Sequence, residues 1–269
     1  MSKEKNENVA SGEKQVPLQQ GYRTVDFADG STHTGEWKDG KANGQGEMKY
    51  ADGSIYNGEW EDDKRNGQGE MEDADGTFYA GEWKDGKRHG FGREGYEDDS
   101  SYTGEWKDGK RNGQGTGDFA NGRTYTGEWK DGLPDGHGTK RYPDGATYTG
   151  EWGNGDWDGQ GRVIATDGTV FEGEFLNGEV LRGTAHLPNG TVVAGEWGDV
   201  NCGTITYADG RMYKGQWNGN PLPGKEHKPG SWTEERPHGR GKMTYPDGTV
   251  KEGLWEEGVF VGDVAKEGS

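Results

Sequence analysis

The chain has 269 residues, of which 53 are Gly and only 27% are hydrophobic, and it carries a formal net charge of −18. So little aliphatic material cannot fill the deep core of a doubly wound sheet or an α/β barrel, and an acidic surface opposes nucleic-acid phosphates, which reward clustered Lys and Arg. Yet 11 Trp and 12 Tyr exceed what a disordered chain carries, so the protein is expected to fold around rings rather than aliphatic side chains.

Residues 1–20 are polar and stand outside the pattern that follows, which predicts a flexible tail. The opening MSKEKNENVASGEK lacks the apolar stretch of a signal peptide, and no run approaches the roughly 18 apolar residues that span a bilayer. A cytoplasmic protein is expected, and the single Cys202 suits a reducing compartment. From there Gly-Glu-aromatic recurs at Trp37, Trp60, Trp83, Trp106, Trp129, Trp152 and Phe175, always 23 residues apart. The spacing then loosens through Trp197, Trp217, Trp232 and Trp255. Self-similarity at such a period marks a repeat architecture. The expected organisation is a repeat array over 21–217, regular to about 175, a shortened irregular unit over 218–231, and terminal units with a tail over 232–269.

Residues 44–67, GQGEMKYADGSIYNGEWEDDKRNG, represent one unit. Two short runs flank Ala51-Asp52-Gly53, which predicts a β-hairpin followed by a connecting loop. Pro143-Asp144-Gly145 and Pro246-Asp247-Gly248 occupy the same turn, and Pro at the first corner favours a three-residue loop closed by a left-handed Gly and a bulge. A two-residue Asp-Gly turn is the alternative. The three-residue loop sets Met48 opposite Tyr56, Gly46 opposite Gly58 and Gly44 opposite Trp60, so the repeated rings share one face and the facing glycines leave them room. One hairpin is marginal in water, so successive hairpins must pair edge to edge. The predicted fold is all-β, an elongated, twisted single-layer antiparallel sheet of tandem hairpins.

Tyr102-Thr103-Gly104-Glu105-Trp106-Lys107-Asp108-Gly109-Lys110-Arg111-Asn112-Gly113-Gln114-Gly115 resembles the MORN repeat, Tyr-x-Gly-x-Trp-x-x-Gly-x-x-x-Gly-x-Gly, at every defining position. The pattern recurs from Tyr79, Tyr125 and Tyr148; the Tyr56 unit departs at Asp63, His33 replaces Tyr in the first unit, and Lys251 replaces it in the last. The resemblance covers about 21–263 and implies single-layer hairpin ribbons with interaction and scaffolding roles. Relatives that add a lipid kinase or a SET methyltransferase carry those activities in a second domain, for which the irregular units here leave no room.

Two sets of residues stand out as contact surfaces. The row Tyr56, Trp60, Tyr79, Trp83, Tyr102, Trp106, Tyr125, Trp129, Tyr148 and Trp152 has no second layer to cover it, so an accessible groove for a protein partner is expected, alongside a purely structural role. The basic residues Lys84, Lys87, Arg88, Lys107, Lys110 and Arg111 of the connecting loops offer contacts for anionic lipid, opposed by Asp85, Asp108 and the acidic total; solvated loops with local ion pairs are the plainer reading. The six histidines show no zinc or nucleophile-base spacing, Cys202 is placed in an irregular loop, and the Gly-rich strings precede strands rather than helices. No catalysis, metal or cofactor is expected. The reading is a scaffold or interaction rod, with a peripheral membrane tether as the alternative, a detached regulatory module of an enzyme as a third reading, and open sheet edges as a route to a homodimer.

Overall fold

The computed structural model describes residues 20–197, 201–219 and 236–263. All but the last residue of the predicted tail over 1–20, and most of the 218–231 segment, lie outside them. Among the described residues every regular element is a strand, and the chain divides into two compact units, 1–88 and 89–269.

The first unit holds β1 (Gly21–Asp26), β2 (Thr32–Lys38), β3 (Lys41–Lys49), β4 (Ile55–Glu61), β5 (Lys64–Glu72) and β6 (Phe78–Lys84). Each pairs antiparallel with its neighbour in the chain, so no second layer forms. The second unit repeats this scheme. It contains most of β7 (Lys87–Gly95), then β8 (Ser101–Lys107), β9 (Lys110–Asp118), β10 (Thr124–Lys130), β11 (Leu133–Arg141), β12 (Thr147–Gly153), β13 (Asp156–Ile164) and β14 (Val170–Leu176). It continues through β15 (Glu179–His186), β16 (Val192–Glu196), β17 (Asn201–Thr206), β18 (Met212–Asn218), β19 (Arg236–Thr244), β20 (Val250–Glu256) and β21 (Val259–Gly262).

The Asp-Gly turns are three-residue loops. Tyr50 N donates to Ser54 O at 2.9 Å, Gly53 N donates to Tyr50 O at 3.0 Å, and Gly53 takes φ +97°. Asp52 Oδ1 accepts the Ser54 amide at 2.9 Å, the local bond that makes Asp favourable here. The register follows: Met48 faces Tyr56, Gly46 faces Gly58 and Gly44 faces Trp60. The single-layer hairpin array expected from the sequence is therefore the fold, and the two-residue alternative is excluded.

The other connections differ from the predicted loops. Up to β15, and again between β20 and β21, they are two-residue type I′ turns, with Asp39 and Gly40 at φ 52° and 81°, and Asp108 and Gly109 at φ 51° and 87°. Strands resume at once, because Asp and Gly both accept the left-handed region that this turn demands. Successive turns are tied together: Gly132 N donates to Arg111 O at 2.9 Å, and Lys110 Nζ reaches Asp131 Oδ1 at 3.2 Å. In the first unit Lys41–Asp62 and Lys64–Asp85 repeat the ion pair at 3.2 and 2.9 Å.

Each I′ hairpin also contains a bulge. Gly58 faces Gly69, but two residues later Trp60 faces Arg65, so Glu59 alone spans Asn66, Gly67 and Gln68. Gly67 takes φ +61° there, and its counterpart Gly44 takes φ +92°. Gly44 is thus required by backbone conformation, beside the Glu36 carboxyl. The later loosening of the period has the same origin. Between β14 and β15 the shift from Glu174–Arg182 to Phe175–Val180 skips one residue instead of two, and β16 pairs with β17 with no shift.

One further expectation is corrected: Cys202 lies on β17 opposite Glu196 and Gln216, not in a loop. Strand β18 pairs directly with β19, Asn218 beside Arg236.

Candidate functional site

Within each unit the aromatic residues singled out in the sequence lie on one face, as the register requires. In the first unit Tyr56 meets Trp60 edge-on at 5.1 Å and the following repeat's Trp83 at 5.3 Å, and Tyr79 meets Trp83 at 5.1 Å. In the second unit Tyr102 sits between Trp106 and Trp129 at 5.3 and 5.1 Å, and Tyr125 between Trp129 and Trp152 at 5.1 and 5.0 Å. Tyr148 meets Trp152 at 5.2 Å and stacks on Trp157 at 4.3 Å. Edge-to-face pairs of this kind are each worth about 0.5–1.5 kcal/mol beyond the area they bury.

The expected open groove is absent at these rings. Tyr56, Tyr79, Tyr102 and Tyr148 are 0% exposed, and the five tryptophans retain 3–6%. The reason is their floor and their polar edges. A Cβ on Gly115 would sit 2.3 Å from the Tyr102 hydroxyl, and one on Gly104 would sit 2.5 Å from the Gly115 Cα, so both glycines let the ring lie against the sheet. The Tyr102 hydroxyl donates to Glu105 O at 2.9 Å, and Trp106 Nε1 donates to Gly92 O at 3.3 Å. The same two bonds recur at Tyr56, Trp60, Tyr125, Trp129, Tyr148 and Trp152. Burial pushes the Tyr102 phenol up to about 12, with Arg111 opposing, and raises those of Tyr56, Tyr125 and Tyr148 further. These phenols stay neutral donors.

The glutamate of the repeat has a role that sequence reasoning missed. Glu105 Oε1 accepts the Gln114 amide at 2.9 Å, and Glu59 accepts that of Gln68 at 2.9 Å, satisfying the backbone donor released by the bulge. At the irregular β18–β19 junction Gln216 Oε1 does the same for Arg240 N at 3.0 Å. The sequence signal was present: a Glu between Gly and an aromatic, in step with the two glycines that follow.

The basic residues do not form one solvated stripe. Lys84, Lys87 and Lys107 are exposed at strand ends beside the type I′ turns, and Lys110 is paired with Asp131. Arg88 lies over the Tyr79 ring at 5.0 Å with Asp73 3.6 Å away. Arg111 turns inward, 4.9 Å from the centre of Tyr102, and binds Glu94 Oε2 at 2.9 Å and the Tyr96 hydroxyl at 2.8 Å. Glu94 is a buried carboxylate at a position where the first unit carries Met48 and Met71.

His33 fills the place of the first tyrosine. It is fully buried, edge-on to Trp37 at 5.1 Å and Trp60 at 4.8 Å, and neither ring nitrogen has a hydrogen-bond partner. Burial lowers its pKa, while the Asp63 charge raises it less. Among the described residues no group of three or more His, Cys, Asp or Glu could hold a metal ion. A hollow of about 340 Å³ between β4, β5 and β6, lined by Ile55, Asn57, Glu70, Glu72 and Phe78, holds neither a nucleophile nor a base paired with one.

This ladder of Tyr, Trp, paired glycines and bulge-capping Glu is that of a MORN-repeat protein. The MORN repeat model matches residues 33–55, 56–78, 79–101, 102–123, 125–147, 148–170 and 230–250, more than half of the sequence, and the chain belongs to that family. No curated protein sequence matches the chain. Among solved structures it is similar to the TCP10 domain of Danio rerio CPAP, determined with a peptide of Danio rerio STIL, at 14% identity and TM-score 0.42 over 87% of this chain and 94% of that one. The G-box domain of the microcephaly protein CPAP aligns at 16% identity and TM-score 0.40, covering 74% and 99% of the two chains. The TCP domain of Drosophila melanogaster SAS-4, solved with a proline-rich motif of Ana2, aligns at 14% identity and TM-score 0.33 over 79% and 96%.

Proposed function

We propose that this protein is a non-catalytic cytoplasmic scaffold that binds a protein partner through the side chains that differ from repeat to repeat. One observation carries the reading: the recurring residues are consumed by the fold itself. The ten rings from Tyr56 to Trp152 are buried with their polar atoms bonded to backbone, the Glu serves the bulge, and the Asp serves the turn. Binding then falls to non-recurring side chains on an open sheet, a rigid support that needs little ordering when a partner docks. The membrane-tether alternative would act through Lys84, Lys87 and Lys107, because Arg88, Lys110 and Arg111 are engaged within the fold.

The test is capture by the immobilised full chain, with an array of matched length built only from the recurring residues as control. A partner that, remade in pure form, binds this chain and not the control is the expected result. Equal retention of every captured protein by both arrays, or recovery of the chain only with anionic vesicles, would refute the reading.

A further inference from the structure

We infer that Arg123 and Lys140, gathered on the ring of Tyr142, form a subsite for acidic side chains of an extended partner segment. The inference rests on the protein-binding reading and gives one part of that surface its chemistry. Arg123 lies 5.5 Å and Lys140 5.6 Å from the centre of the Tyr142 ring, and Lys140 is also 5.6 Å from that of Trp152. All lie on the ring-bearing face of the second unit, where Lys140 pairs with Tyr125 across one edge of β11 and with Tyr148 across the other.

The repeats supply their own controls. Where Lys140 stands, other hairpins of this unit carry Gly117, Val163 or Met243, so the fold does not need a cation there. Glu94 is the other charge in that row, and Arg111 neutralises it at 2.9 Å. Arg211 occupies the same turn position as Arg123, but its guanidinium is held by Asp209 of its own turn at 2.7 Å. In the Arg123 turn that acid is Asn121, whose Oδ1 only accepts the Arg123 amide at 3.1 Å. Among the described residues no carboxylate lies within ion-pair distance of Arg123 or Lys140.

Two like charges half-buried over one ring, in a chain of net charge −18, leave a local deficit that an incoming anion fills. Cation–ring contact offsets part of the cost. The remainder is visible in Lys140: burial first, and then Arg123, hold its ammonium below the ordinary lysine range, with Asp156 opposing. Successive side chains on one face of an extended segment are about 6.6–7 Å apart, so Glu or Asp at alternate positions addresses both cations. A protein segment suits the site better than a bilayer, because both cations are half-buried against a ring, whereas the lysines at the type I′ turns are the exposed ones.

Hexaglutamate and inorganic phosphate, each titrated into the full chain at 50 mM salt and followed by the Arg123 Nε–Hε signal and the amides of Lys140 and Tyr142, test this. Hexaglutamate should give saturable shifts. Replacing either cation by what other hairpins carry, Arg123→Ser or Lys140→Met, should weaken it about tenfold. Asn121→Asp, which supplies Arg123 with an internal acid and removes no cation, should weaken it by a similar factor, and it keeps the test open if a cation variant unfolds. No saturable shift, affinity unchanged in all three variants, phosphate binding without hexaglutamate binding, or tighter binding to vesicles containing phosphatidylserine would each overturn the inference. A partner captured equally by the wild type and the double cation variant would refute this subsite while leaving the scaffold reading intact.

Discussion

The substitution Gly115→Ala probes the floor beneath the rings. An added Cβ would stand 2.3 Å from the Tyr102 hydroxyl and 2.6 Å from two of its ring carbons. The ring has no slack, being 0% exposed and held edge-on between Trp106 and Trp129. Forcing one carbon into a filled site costs about 1–3 kcal/mol, and displacing the hydroxyl from Glu105 O, now 2.9 Å away, adds about 1 kcal/mol. A loss of about 2–4 kcal/mol is expected in the hairpins that share the ring. Because a repeat array need not unfold in one step, hydrogen exchange of the β8, β9 and β10 amides is the appropriate readout, with urea unfolding in support. A double-mutant cycle with Tyr102→Leu isolates the clash, since the shorter side chain vacates the space of the hydroxyl. If Gly115→Ala costs as much in the Tyr102→Leu background as in the wild type, the ring is not what the glycine accommodates.

Three other outcomes are expected. Lowering the pH should destabilise the first unit through His33: its folded pKa lies below the ordinary 6.5, so its contribution is complete above that value and is lost as pH falls through 6.5 toward the folded pKa. His33→Tyr should flatten this dependence, measured by exchange in β2 to β4, and an unchanged pH profile would show that another group titrates. Glu105→Ala should cost about 1 kcal/mol by stranding the Gln114 amide, while Glu105→Gln should cost much less, since Gln216 already serves Arg240 in this way; equal losses on urea unfolding would discard the bulge-capping role. Lys110→Met, which removes an exposed pair with Asp131, should change stability by less than about 0.5 kcal/mol, and a larger, salt-sensitive loss would contradict the high screening assigned to that surface.

The hairpin register was legible because period-two alternation and a Pro-Asp-Gly turn leave few ways to gather sparse rings on one face. The 23-residue step carried the rest of the regular array. The connections were harder. Lys107 to Lys110 reads as a polar loop, and only the pairing of these two lysines across the turn reveals that strand residues begin immediately after Gly109 at φ +87°. The accessibility of the rings was misjudged for a related reason: a bare glycine floor lets each tyrosine lie flat, where its own Trp and the next one enclose it. Arg111 and Glu94 illustrate what local reading misses altogether, since their salt bridge joins positions 17 residues apart on different strands. The candidate contact surface therefore moved from the residues that repeat to those that do not.

The ties between successive turns have a consequence for how such a chain changes. In the regular run of the second unit, the bond from Gly132 to Arg111 and the pair Lys110–Asp131 each reach back 21 positions, and Tyr102 and Tyr125 each pack edge-on against their own tryptophan and the following one. These ties are local to neighbouring repeats and independent of the total count. Deleting or duplicating one 23-residue segment restores a seam with the same backbone bond and ring packing, so the number of repeats is open to adjustment in whole steps.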